Sequence, residues 1–154
     1  MLQRVKNLKT NRILILISLM ITACTVSNPK YFSGLKKSND HTYAYSSVNP
    51  VCIKKGDIYQ SVDASYYFLS RLRTTRGEKL KLIKRVSVQN PVYKKPAFTF
   101  KNGFTGETLN YGKGPKLDVY YMLAPDRTDT IRIFINPYIK GKLMVPAGLS
   151  FEYE

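Results

Sequence analysis

The sequence predicts an α+β fold: one helix packed on a mostly antiparallel sheet of four to six strands. Three observations carry this. Residues 61–75 place apolar side chains at helical spacing. Residues 117–123 and 131–135 alternate apolar and polar across a short polar loop, and residues 78–88 alternate in the same way. No internal repeat divides the 154 residues.

In the helical stretch, Val62, Tyr66, Leu69 and Leu72 form one stripe, widened by Ala64 and Phe68. Ser61 is the expected N-cap and Asp63 lies in the first turn, where a negative charge meets the helix dipole. Arg71, Arg73 and Arg76 crowd the other end, and Gly77 is the expected C-cap. In the following strand Leu80, Leu82, Lys84, Val86 and Val88 are expected on one face. Lys79, Lys81, Arg85 and Ser87 are expected on the other, wet face. Asn90-Pro91 ends it.

The strongest strand signal is the hairpin around "APDRTD". Its expected core face joins Leu117, Val119, Tyr121 and Leu123 to Ile131, Ile133 and Ile135. Tyr120, Met122, Arg132 and Phe134 are then left facing outward as a partner surface. Shorter extended pieces are expected at Tyr43–Tyr45, Val51–Lys54, Ala97–Phe100 and Leu143–Phe151, with a tight turn at Lys101-Asn102-Gly103. Gly103, Gly106, Gly112 and Gly114 fit no nucleotide-binding fingerprint and read as turn residues.

The N-terminus carries a different message. Arg4, Lys6, Lys9 and Arg12 precede an apolar run, Ile13 to Ile21, that is too short to span a bilayer. This is the layout of a secretory signal. It ends in Ile21-Thr22-Ala23-Cys24, an aliphatic residue, two small residues and a cysteine, which resembles a bacterial lipobox. Small residues fit a peptidase cleft, and the Cys24 thiol is the nucleophile that takes up diacylglycerol. The expected organisation is a signal peptide over 1–23, a lipid-anchored tether over 24–41 and one domain over 42–154. Two or more acyl chains anchor stably, at about 0.8 kcal/mol per buried methylene. Thr25, where an aspartate would retain the protein in the inner membrane, favours the outer membrane, facing the periplasm.

Loss of the four signal-peptide cations lowers the net charge from +15 to +11, that is 15 less 4. In the cell envelope the available anions are lipid headgroups, glycan carboxylates and phosphates, so the expected partners are the membrane, envelope proteins and anionic glycan or lipid, with no nucleic acid. Cys52 is the one thiol left after lipidation, and Val51 and Ile53 beside it predict a core position. His41 is the only histidine, so no metal site of the Cys/His kind is expected, and no cofactor either. The acids Asp57, Asp63, Glu78, Glu107, Asp118, Asp126 and Asp129 fall in turns, at the helix start or on outward strand positions. No pair of them suggests acid–base chemistry, and the expectation is a non-catalytic chain.

Three stretches together, "PVCIKKGD" leading into "YYFLSRLRTTRGEKL", then "LDVYYM", then "INPYIKGKLMVPAGLSFE", resemble a family of small lipoproteins from Bacteroidetes-type bacteria. The resemblance covers most of residues 43–152. It implies a signal with a lipobox, a helix ending in a Leu-x-x-x-x-Gly-Glu turn, and a C-terminal Gly-x-Leu-x-Val-Pro-x-Gly. Members often carry a Cys-Cys pair after the post-helix strand. Val88-Gln89 stands there in this chain, so any role of that pair is not carried over. The name 2-dehydro-3-deoxyphosphooctonate aldolase is sometimes attached to such proteins. That enzyme is cytoplasmic, barrel-sized and binds phosphoenolpyruvate, whereas this chain carries an export signal. The resemblance therefore implies an envelope lipoprotein and not that activity.

Overall fold

A computed structural model describes residues 29–153, apart from 95, 96, 99, 107, 110–113 and 126. The expected signal segment, residues 1–23, and Cys24 lie outside the described residues. The fold is α+β. Helix α1 spans Ile58–Arg71. The main sheet has four strands in the order β1-β7-β6-β3: Val51–Cys52, Thr130–Asn136, Lys116–Leu123 and Lys81–Gln89. Its pairings are antiparallel except β1 with β7, which is parallel. A two-stranded sheet joins β2, Leu72–Thr74, to β8, Leu149–Phe151. A second joins β4, Phe100–Lys101, to β5, Thr108–Leu109.

α1 begins one turn earlier than its apolar stripe suggests. Asp57 is the N-cap, its carboxylate accepting from the Gln60 amide at 2.8 Å. Ser61, the expected cap, is instead buried in the second turn. Its hydroxyl donates to the Asp57 carbonyl at 2.7 Å and accepts from the Lys55 amide at 3.0 Å. Ser65 donates to the Ser61 carbonyl at 2.8 Å. With their hydroxyls satisfied along the helix itself, these small residues let the backbone approach the sheet closely. The buried face is Ser61, Ala64, Ser65, Phe68 and Leu69, while Tyr66 is exposed. The helix ends at Arg71, and Leu72 already belongs to β2. Gly77 is therefore not its C-cap. It sits at φ +85 in the turn that follows β2, its amide donating to Thr74.

The hairpin forms as expected, but its faces are reversed on one strand. Val119 pairs with Phe134, Tyr120 with Ile133 and Met122 with Ile131. Residues directly opposite in a ladder share a face. The helix-facing side of β6 is therefore Asp118, Tyr120 and Met122, alongside Ile131, Ile133 and Ile135 of β7. Leu117, Val119, Tyr121 and Leu123 lie on the other side with Arg132 and Phe134. β3 changes face partway: Leu82 opposes Met122, but Lys84 opposes Tyr121, so Ile83 is an extra residue in a bulge. Leu82 therefore shares the helix side, while Val86 and Val88 share the far side with Val119 and Leu117. As an edge strand β3 is wet on both sides, with Leu82, Ile83 and Val86 all exposed.

Residues 29–41 do not behave as a tether. A short 3-10 turn, Pro29–Tyr31, leads to Phe32, which is 4% exposed and belongs to the core. Its ring lies 4.9 Å from Tyr67 and 6.3 Å from Phe68 of α1, and 6.4 Å from Phe151 of β8. Lys37 then pairs with Val145 in a parallel bridge. The Ser38 amide donates to the Val145 carbonyl at 2.8 Å, and the Val145 amide to the Lys36 carbonyl at 2.9 Å. The expected strand at Tyr43–Tyr45 is a turn instead, with Ala44 at φ +71. The Ala44 carbonyl accepts from the Phe134 amide at 2.7 Å, which seats the turn on the sheet.

Candidate functional site

The partner surface expected from Tyr120, Met122, Arg132 and Phe134 is not one surface. Tyr120 is 0% and Met122 2% exposed, both packed under α1. Arg132 is exposed and Phe134 half-buried on the opposite side of the sheet. Tyr120 and Met122 of β6 fall on the face opposite to the expected one while Arg132 and Phe134 of β7 face outward as expected, because alternation sets which residues of one strand go together but not which set meets the helix.

The structure brings together a different group. On the helix side of the sheet Arg85 donates to the Asp118 carboxylate at 2.8 Å, and the Ser87 hydroxyl donates to its other oxygen at 3.0 Å. Asp118 is 4% exposed. Tyr66 of α1 stands edge-on to Tyr120 at 5.6 Å, and the Arg85 guanidinium lies 6.0 Å from the Tyr66 ring and 5.8 Å from the Tyr120 ring. Burial works against the Arg85 charge, but hydrogen bonds to Asp118 and Tyr66 outweigh it and keep the guanidinium charged. The Tyr120 hydroxyl is buried without a partner at hydrogen-bonding geometry, although the Ser65 hydroxyl is close enough to affect its ionisation. Burial, with Asp118 nearby, raises its pKa.

Beside this cluster an apolar groove of about 500 Å³ opens between the end of α1 and the start of β3. Tyr66 and Leu69 form one wall, Leu80 and Leu82 the other, Met122 lies between them, and Lys79 and Lys81 also line it. A more polar cleft of about 430 Å³ lies elsewhere, lined by Tyr45, Thr74, Arg76 and Arg127 among others. The Tyr45 hydroxyl there donates to the Ala147 carbonyl at 2.6 Å, and burial pushes its pKa to about 12.

The remaining sequence candidates stand apart from these features. Cys52 is half-buried, its thiol 3.6 Å from the Pro50 carbonyl and pushed up in pKa by burial. A thiol held protonated is a weak nucleophile. His41 is exposed. Asp40 is held below the usual carboxylate range by hydrogen bonds from Thr42 and Asn49. Asp57 caps α1. Among the described residues no three His, Cys, Asp or Glu side chains gather into a metal-binding group, and no helix is long and apolar enough to cross a membrane. Comparison with known protein families, with curated proteins and with solved structures found no match to this chain.

Proposed function

We propose that this chain is a lipid-anchored protein of the bacterial envelope, held in the outer membrane facing the periplasm, and that it works as a non-catalytic binding or assembly module. The observation that carries the reading is Ile21-Thr22-Ala23-Cys24, placed after four cations and a short apolar run. The likeness to small Bacteroidetes-type lipoproteins points the same way.

The chemistry of the described residues supports the second half. A general base needs a carboxylate that a substrate can reach. The buried Asp118 carboxylate instead has one oxygen on Arg85 and the other on Ser87. That is how a carboxylate is held when it fixes strand register. A purely structural subunit of an envelope complex would carry the same anchor and the same buried cluster.

The test is processing. In cells fed labelled palmitate, the wild-type chain is expected to take up label, to fractionate with membranes, and to accumulate as precursor under globomycin. Cys24→Ala is expected to remain unprocessed and unlabelled. An alanine variant that still matures and stays membrane-bound overturns the reading.

A further inference from the structure

Three segments far apart in sequence meet around the point where the chain enters the domain. The Tyr31 hydroxyl donates to the Lys54 carbonyl at 3.4 Å. Further along the same segment, Lys36 and Lys37 pair with Val145. The segment before Val145 folds back: the Tyr43 hydroxyl contacts the Lys142 carbonyl at 3.5 Å and the Met144 amide at 3.1 Å. Gly141 packs so closely on Cys52 that a Cβ would stand 2.7 Å from the Cys52 Cβ. Cys52 leads to Lys54, which closes the circuit.

All three segments are basic. Residues 29–38 carry Lys30, Lys36 and Lys37, residues 52–56 carry Lys54 and Lys55, and residues 138–146 carry Lys140 and Lys142. None of the three contains an aspartate or glutamate. Six of these lysines are exposed and Lys55 is half-exposed. The flanking acids are already engaged, Asp40 with Thr42 and Asn49, and Asp57 with the first turn of α1.

We propose that this basic face is a docking surface for an anionic lipid bilayer, and that the protein lies against the membrane on it. The proposal rests on the anchoring of Cys24. Four residues, 25–28, lie between Cys24 and Pro29, and these five Cα-to-Cα steps reach at most about 18 Å when fully extended. A domain of this size has a radius of gyration of about 14 Å. The leash is thus comparable to the domain radius, and the face that bears Pro29 stays near the headgroups. Lysines held within a Debye length of about 8 Å feel the surface potential of anionic lipid with little screening. The basic face and the attachment point coincide, which a solubilising charge spread over the whole domain does not require.

The test uses the full mature-length chain with Cys24→Ser, so that no acyl chain contributes. Its co-sedimentation is measured with vesicles of phosphatidylcholine alone and of phosphatidylcholine with phosphatidylglycerol, at low and high salt. Binding is expected only to the anionic vesicles and is expected to fade with salt. The triple variant K36E/K37E/K54E is expected to lose at least about tenfold in affinity. K79E/K81E/K116E, with the same net charge but substituted on β3, β6 and the turn before β3, is expected to lose no more than about threefold. Glutamine at 36, 37 and 54 serves as the milder variant, and circular dichroism checks that each variant folds. Equal losses in the two glutamate triples overturn the proposal in favour of net charge alone. Absence of binding to anionic vesicles at low salt overturns it too. Failure of palmitate labelling in the wild-type chain would instead remove the anchor while leaving the vesicle result to stand.

Discussion

Phe32→Ala separates a packed N-terminal segment from a passive tether. The ring is 4% exposed and sits among Tyr31, Tyr67, Phe68 and Phe151. Burying a phenylalanine contributes about 1.5–3 kcal/mol by transfer alone, and truncation to alanine in a core typically costs about 3–5 kcal/mol once the cavity is included. The lower end applies here. Residues 29–38 are held beyond the ring mainly by two backbone bonds to Val145, so part of the cavity can collapse. A loss of about 3 kcal/mol is a large share of the 5–15 kcal/mol typical of a whole domain. At about 4 °C per kcal/mol for a domain between the usual size classes, Tm should fall by about 10–15 °C. The assay is thermal and urea unfolding followed by circular dichroism, with Lys30→Ala as an exposed control expected to shift Tm by less than about 2 °C. A Phe32→Ala midpoint equal to that of the control would refute the packing argument and return residues 29–41 to the role of a spacer.

Arg85→Ala leaves the buried Asp118 carboxylate with Ser87 alone. Breaking such a pair costs about 3–5 kcal/mol when fully buried, and about 2 kcal/mol is expected here because the Arg85 side chain is 32% exposed. Adding Asp118→Asn should recover part of that loss in urea unfolding, and a double variant no more stable than the single one would count against it. High pH should destabilise the fold through Tyr43 and Tyr45, whose pKa values burial raises from 10.0 to about 12. Their contribution is fully present below pH 10 and is lost as pH rises through 12, because the unfolded chain ionises first. For the nearly buried Tyr43 this amounts to about 2–3 kcal/mol. Urea midpoints should therefore fall between pH 10 and 12 and fall less in Tyr43→Phe, and a midpoint that stays flat to pH 12 would show that these hydroxyls ionise without resistance.

Local pattern in the sequence carried the elements well and their mutual orientation less well. The helix was readable from Ala64, Phe68 and Leu69, but its start was not, because buried Ser61 and Ser65 are polar in composition and apolar in use. Their hydroxyls are consumed within the helix. The hairpin was readable from alternation, yet the face was misassigned. Six residues, 124–129, separate the paired Leu123 and Thr130. An even loop length pairs odd positions with even ones, so the set containing Ile131, Ile133 and Ile135 had to meet Tyr120 and Met122. The loop "APDRTD" already held that parity. The bulge at Ile83 also left a mark, since the Leu82-Ile83 doublet followed by Lys84-Arg85 breaks the Leu/Lys alternation where the extra residue sits.

The candidate surface was harder still, because it exists only in three dimensions. The lysines at 36–37, 54–55 and 140–142 belong to three separate short runs, and each alone is an ordinary solvated pair. In sequence the density of cations is highest at 71–85. Folding disperses those: Arg73 pairs with Glu152, Arg71 lies 3.7 Å from the same carboxylate, Lys84 covers the Tyr121 ring at 4.5 Å, and Arg85 is committed to Asp118. A cation already engaged within the fold has less to offer a partner than one facing water with no anion in its own segment. The three lysine runs meet that second condition together and lie beside the residue where the chain leaves for Cys24. If Cys24 is the anchor as proposed, position relative to it, more than the total charge of +15, would give this face an orientation toward the membrane.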